Sequence, residues 1–219
     1  MIFLIICLNC YSQKNIKIRP YDCALNATES MINDSKKLSN YLTKPFQTDS
    51  DKVNSIIYWI TLNIAYDVKS INDSTLDLSA QNVLKNKASV CEGYANLFYD
   101  LCANSNLDCK VVIGYAKGFD YTKGKIQKTN HAWNVVMIDK KWKLVDLTWA
   151  AGYVTDYNDT LKFVRKFNKR YVFDSPKDFI LEHFPEDKKM QLINPPITEQ
   201  KFYSLDFEVA RLNKKFNNE

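Results

Sequence analysis

Apolar residues Val53, Ile56, Ile57, Ile60 and Ile64 recur at steps of three and four between residues 48 and 64, the spacing of one buried stripe on an α-helix. Asp49 or Ser50 is placed to cap it. Ser79 is a plausible N-cap for a short helix through Val83 and Leu84, after which residues 87–90 deliver the chain to Cys91. Beyond Cys91, Tyr94, Ala95, Phe98, Leu101 and Cys102 mark another one-sided helix, ending near residues 104–106. The period then changes. Residues 109–115 read as a central strand, and 131–138 and 142–149 as two more joined at 139–141. With Asp139-Lys140 as a two-residue turn, Ile138 faces Lys141, Trp133 faces Asp146 and His131 faces Thr148. His131 and Asp146 then share one sheet face as diagonal neighbours, and a slip of one residue would separate them.

At 219 residues and 46% hydrophobic, the chain can bury one good core but not two large ones. Five glycines and six prolines exclude a collagenous or linker-like chain. The +5 net charge is spread among 25 acidic residues, which argues against a nucleic-acid surface. Residues 161–170 are the exception, with Lys162, Arg165, Lys166, Lys169 and Arg170 suiting either one face of a helix or an exposed hairpin.

Residues 1–8 are almost wholly apolar and pass into Asn9-Cys10-Tyr11-Ser12-Gln13, the form of a signal-peptide core and cleavage zone over residues 1–12, although a basic leader end is missing. The run is far shorter than the ~20 apolar residues of a membrane span. Export to the periplasm, the medium or a lipid-anchored surface is the expectation. A buried N-terminal strand in a cytoplasmic protein is the alternative. Behind the leader, residues 13–47 form an N-terminal segment, 48–155 the core and 156–219 a C-terminal extension. Cys23, Cys91, Cys102 and Cys109 are too few and too irregular for a disulfide framework, with Cys102 and Cys109 either pairing after export or packing as thiols. Two histidines and no Cys-x-x-Cys give a metal site little raw material.

Three residues carry the candidate chemistry: Cys91, His131 and Asp146, nucleophile, base and orienter in that order. A cysteine in a helix is usually core, and a histidine or aspartate in a strand often only satisfies a hydrogen bond. Their joint placement at a helix start, a strand start and an adjacent strand suits acyl transfer. Unpaired N–H groups and the dipole at a helix start favour thiolate. Lowering a thiol from about 8.5 to about 5.5 corresponds to about 4 kcal/mol, of which the dipole supplies about 1 kcal/mol. A charged His131 must supply much of the rest.

Cys91-Glu92-Gly93-Tyr94-Ala95, residues 114–118 (Gly-Tyr-Ala-Lys-Gly), His131-Ala132-Trp133-Asn134 and Asp146-Leu147-Thr148-Trp149 with Gly152-Tyr153 together resemble the transglutaminase-like superfamily, in particular its kyphoscoliosis-peptidase and cytokinesis-protein branch. The resemblance runs over residues 50–152 and on through 171–193. It implies an α+β fold of papain-like, transglutaminase-core type, with a Cys91 helix packed on an antiparallel sheet bearing His131 and Asp146. It also implies a Cys91 nucleophile, a His131 base and acid, and an Asp146 orienter. Family members include transglutaminases, proteases, peptide N-glycanases and inactive relatives. Ser89, Ala150 and Met190 depart from the glycine, glycine and tryptophan common in the branch.

The Cys91 N–H is the natural first oxyanion donor. Trp59 and Gln81 are further candidates, against readings as core and as a cap. Trp133 and Trp149 flank the triad as cleft walls or packing. Glu92 stays outside the chemistry, and His183 reads as structural. The expected reaction is attack on a peptide or glutamine carboxamide through a thioester, as protease, amidase or acyl transferase, without metal or organic cofactor. Substrates are proteins or peptides, wall peptides included. A noncatalytic interaction module is the alternative.

Overall fold

The computed structural model describes residues 18–71, 73–118, 121–122 and 129–205, so the leader expected at 1–12 lies outside the described residues. In chain order the elements are α1 (Pro20–Leu25), α2 (Glu29–Ile32), α3 (Ser35–Thr43), α4 (Asp49–Asn63), β1 (Ala65–Tyr66), α5 (Ala80–Asn86), β2 (Ala88–Ser89), α6 (Cys91–Ala103), β3 (Cys109–Ala116), β4 (His131–Ile138), β5 (Lys141–Val145), α7 (Leu147–Ala151), β6 (Gly152–Asp156), β7 (Leu161–Arg165), α8 (Pro176–Phe179), β8 (His183–Pro185) and α9 (Glu199–Ser204). The fold is α+β, a helix-bearing layer on an antiparallel sheet ordered β5-β4-β3-β8.

The stripe on α4 is buried from Val53 through Ile60. Its N-cap is Thr48, whose side chain accepts from the Asp51 N–H, rather than Asp49 or Ser50, because Thr48 is the last residue still in extended backbone. Ser79 caps α5 as expected, accepting from the Asn82 N–H. The β4–β5 hairpin has the expected register, Ile138 opposite Lys141 and Asn134 opposite Val145. Asp139 and Lys140 both adopt positive φ, the backbone a two-residue turn requires for strands that twist to the right.

The strand expected over 142–149 stops at Val145. There Asp146 turns inward as the N-cap of α7, its carboxylate accepting the Trp149 N–H at 3.1 Å. Of the basic stretch, β7 pairs with β6 as a hairpin. Arg165, itself exposed, donates from its guanidinium to the Thr61 and Ile64 carbonyls at the end of α4, where a cation meets the negative end of the helix.

Alternation along β4 divides the molecule into two packed layers. Val136 and Ile138 face the helices, in a core that contains Leu38 and Leu42 of α3, the α4 stripe and Leu97, Phe98 and Leu101 of α6. The N-terminal helices therefore share the main core. Trp133 and Val135 face the other way, against Leu144 and Val112 and, from the C-terminal segment, Phe179, Met190 and Leu192. The same segment supplies β8 as the sheet's fourth strand, paired with β3, and residue 155 falls within the β6–β7 hairpin. Cys23, Cys91, Cys102 and Cys109 are all free thiols.

Candidate active site

Cys91 is the first residue of α6, after Val90, which offers no side-chain cap. The first-turn N–H groups thus have no capping side chain, and the dipole's positive end lies at the sulfur. Gly93, one turn in, is fixed by crowding, since a Cβ there would lie 1.9 Å from the Ser89 hydroxyl. Ser89 of β2 is therefore pressed against α6, which holds the helix mouth in place.

His131 begins β4 and Asp146 follows β5, so the register brings them together on the sheet face turned to the C-terminal segment. The His131 Nε2 lies 2.8 Å from Asp146 Oδ2, with the carboxylate fully buried. That leaves Nδ1 as the ring nitrogen not engaged by Asp146, and the His131 side chain and the Ala132 backbone both act on the Cys91 thiol. Thiol, imidazole and carboxylate are thus electrostatically coupled.

Burial opposes every charge in this cluster, and pairing overcomes it for three of the four groups. For Asp146, burial would raise the pKa, but the His131 charge and the hydrogen bonds from His131 and His183 hold it well below the usual carboxylate range. For His131, burial disfavours the cation, yet the Asp146 charge, its hydrogen bond and Cys91 push it up to about 10. For Cys91, burial pushes upward, and the His131 hydrogen bond and charge with the Ala132 backbone bring it below the ordinary thiol value. Opposite charges about 4 Å apart at an effective dielectric near 20 attract by about 4 kcal/mol, against about 1 kcal/mol from a helix terminus. The His131 charge therefore outweighs the helix terminus at Cys91, while burial and the Asp146 charge act on the thiol in the opposite direction.

Sequence reasoning placed His183 outside the site, yet its Nε2 reaches the same Asp146 Oδ2 at 2.9 Å. The only local sign was a histidine in a short proline-bounded run, and the pairing of β8 with β3 that delivers it is long-range. Burial is the main influence on its pKa, which falls despite Asp146. Its Nδ1 is buried without a partner, which fits a neutral ring protonated on Nε2 and donating to Asp146.

Trp149 lies 5.2 Å from the His131 ring and 4.5 Å from the His183 ring, centroid to centroid, and Trp133 stacks on His131 at 6.1 Å. Both tryptophans wall the cluster. Gly114 makes room for Trp133, because a Cβ there would meet its ring at 2.6 Å and the Phe184 carbonyl at 2.4 Å. Trp59 sits in the helical core with the Lys87 ammonium 5.1 Å from its ring centre. Gln81 is exposed and donates to the Asn33 carbonyl at 3.1 Å, tying α5 to the turn before α3. Glu92 lies on the exposed side of α6. His131, Asp146 and His183 also place donor atoms within 4.8 Å of one another, as metal ligands would. Both imidazole nitrogens, however, already point at one carboxylate oxygen, the pattern of shared hydrogen bonds.

The transglutaminase-like superfamily model matches residues 36–147, about half the chain. The chain belongs to that superfamily. It is 32% identical over 202 residues to the kyphoscoliosis peptidase of Mus musculus, covering 88% of this chain and 30% of that protein. It is 34% identical over 169 residues to the kyphoscoliosis peptidase of Homo sapiens, covering 76% of this chain and 25% of that protein. The chain thus spans less than a third of the length of these relatives. A crystal structure described as that of a TGase aligns over 73% of this chain and 39% of its own, at 21% identity and a TM-score of 0.40. Among the described residues, no helix is long and apolar enough to cross a membrane.

Proposed function

We propose that this transglutaminase-like chain is a thiol enzyme that attacks carboxamide carbonyls of proteins or peptides through Cys91. The observation that carries the reading is the buried Asp146–His131 hydrogen bond at 2.8 Å, beside a Cys91 thiol that begins an uncapped helix and is held below its ordinary pKa by His131.

In this mechanism the Cys91 thiolate adds to the carbonyl carbon, and charge moves to the carbonyl oxygen. The Cys91 N–H, in the uncapped first turn of α6, serves as donor to that oxyanion. His131, held by Asp146 in the tautomer that leaves Nδ1 toward the sulfur, gives its proton to the departing amine as the tetrahedral adduct collapses to a thioester. It then takes a proton from water or from an acceptor amine, and attack on the thioester frees Cys91. Water as acceptor makes the chain a protease or amidase, and an amine makes it a cross-linker. Export through residues 1–12 belongs to the same reading, and the mass of the mature N-terminus tests it.

Purified protein is assayed in parallel for incorporation of a labelled primary amine into protein and for release of peptide or ammonia. Cys91→Ala is expected to abolish whichever product forms while leaving circular dichroism unchanged. A variant that turns over at the wild-type rate contradicts the assignment. Absence of both products from wild type, with an ordinary Cys91 thiol, supports an interaction module instead.

A further inference from the structure

The C-terminal segment does more than cover the sheet. It inserts one ionisable side chain into the triad's carboxylate, and that side chain is itself enclosed. His183 stacks on Phe179 at 4.0 Å and lies 5.2 Å from Trp133 and 6.2 Å from Tyr171, centroid to centroid. Packing on every side fixes its ring, and its Nε2 has one partner, Asp146 Oδ2. A side chain used only to fill space would be served by phenylalanine, which suits this cage at no cost in buried polar atoms.

We propose that His183 is a positioning residue for the triad: its Nε2–H donates to the Asp146 oxygen that also receives His131, fixing the carboxylate and sharing its charge. The proposal rests on the thiol-enzyme reading above. Asp146 is held at Oδ1 by the Trp149 N–H and at Oδ2 by two imidazoles. With His183 withdrawn, one donor fewer shares the negative charge, and His131 holds its proton more firmly. An imidazolium that is harder to deprotonate is a poorer acid toward the leaving amine. The charged and titratable groups around the pair are Cys91, Tyr94, Tyr171, and Glu182 with its Arg170 partner at 2.7 Å. The described side-chain hydrogen bonds to Asp146 Oδ2 come from His131 and His183.

The chain has only two histidines, so His183→Phe leaves His131 as the single imidazole signal in an NMR titration. The full chain carrying Cys91→Ala, which removes the thiol's own titration, is compared with and without His183→Phe. The His131 midpoint is expected to move to higher pH in His183→Phe and to return in His183→Gln, whose amide can replace the Nε2 donor. In the Cys91-bearing chain, His183→Phe is expected to lower kcat about tenfold at unchanged KM, the scale of one hydrogen bond to a charged group, with Gln restoring it. If His183→Phe does not fold, His183→Asn, too short to reach Asp146, stands in for it. A His131 midpoint and kcat unaffected by loss of the donor overturn the proposal. So does a loss that Gln fails to reverse in both readouts. The titration needs no turnover, so a wild-type chain without activity removes the enzymatic reading while the midpoint still decides the role of His183.

Discussion

The two faces of the central sheet bury different things. The helical face is mostly hydrocarbon, with Leu38, Val53, Ile56 and Leu101 each at 0% exposure and Val136 opposite them also at 0%, around a few neutral polar groups such as Asn134, which donates to the Ala95 carbonyl. The other face encloses Asp146, His131 and His183 in a ring of Trp133, Trp149, Tyr171 and Phe179. Apolar burial on the first face is additive and tolerant of conservative change. On the second, each buried polar group depends on a particular partner, and removing one leaves another uncompensated. The helical face should therefore govern stability, and the polar face activity.

The sharpest break of that comparison is Asp146→Asn. It keeps the shape but replaces a charged acceptor with an amide that also donates, so kcat should fall by about 10³–10⁴-fold with the fold retained. Comparable activity in steady-state assays would remove Asp146 from its role. On the opposite face, Leu101→Ala should cost about 2–5 kcal/mol in urea denaturation while leaving kcat per folded molecule unchanged.

A smaller effect comes from pH. In the Cys91→Ala background, the Asp146 charge and hydrogen bond still favour the protonated His131, so its folded pKa lies above the unfolded 6.5. Its contribution is complete below about 6.5 and declines as pH rises through the folded value. Asp146, held low, contributes fully above about 3.9 and loses its share as pH falls below that. His183, held low by burial, opposes folding as pH drops below about 6.5. Denaturation midpoints should therefore decline above neutrality, and Asp146→Asn should flatten that alkaline decline. A decline of equal steepness in both proteins would place its origin elsewhere. The smallest effect is Thr48→Ala, which removes the α4 cap and should cost about 1 kcal/mol without altering the pH dependence, as thermal melts across pH would register.

What the sequence revealed divides along the same line. Cys91, His131 and the β4–β5 register were legible because each rests on local signals: a helical stripe after Cys91, an alternating strand, and a turn between them. Asp146 was assigned the right partner but the wrong element, since the switch from strand to helix at 146 depends on a cap that reads like any aspartate at a strand end. The C-terminal contribution was not legible. Strand β8 has three residues, too few for a period, and its register with β3 is set by residues about seventy positions earlier. The helices of residues 20–43 were also missed, being short, with α1 and α3 packed largely on the distant α4 and α6.

The most direct test of the central claim is the pH dependence of Cys91 alkylation by iodoacetamide, with the modified residue located by mass spectrometry. A thiolate maintained by His131 predicts an inflection well below the ordinary 8.5, moving up toward that value in His131→Ala. An inflection near 8.5 in the wild-type chain, unmoved by loss of His131, would contradict it.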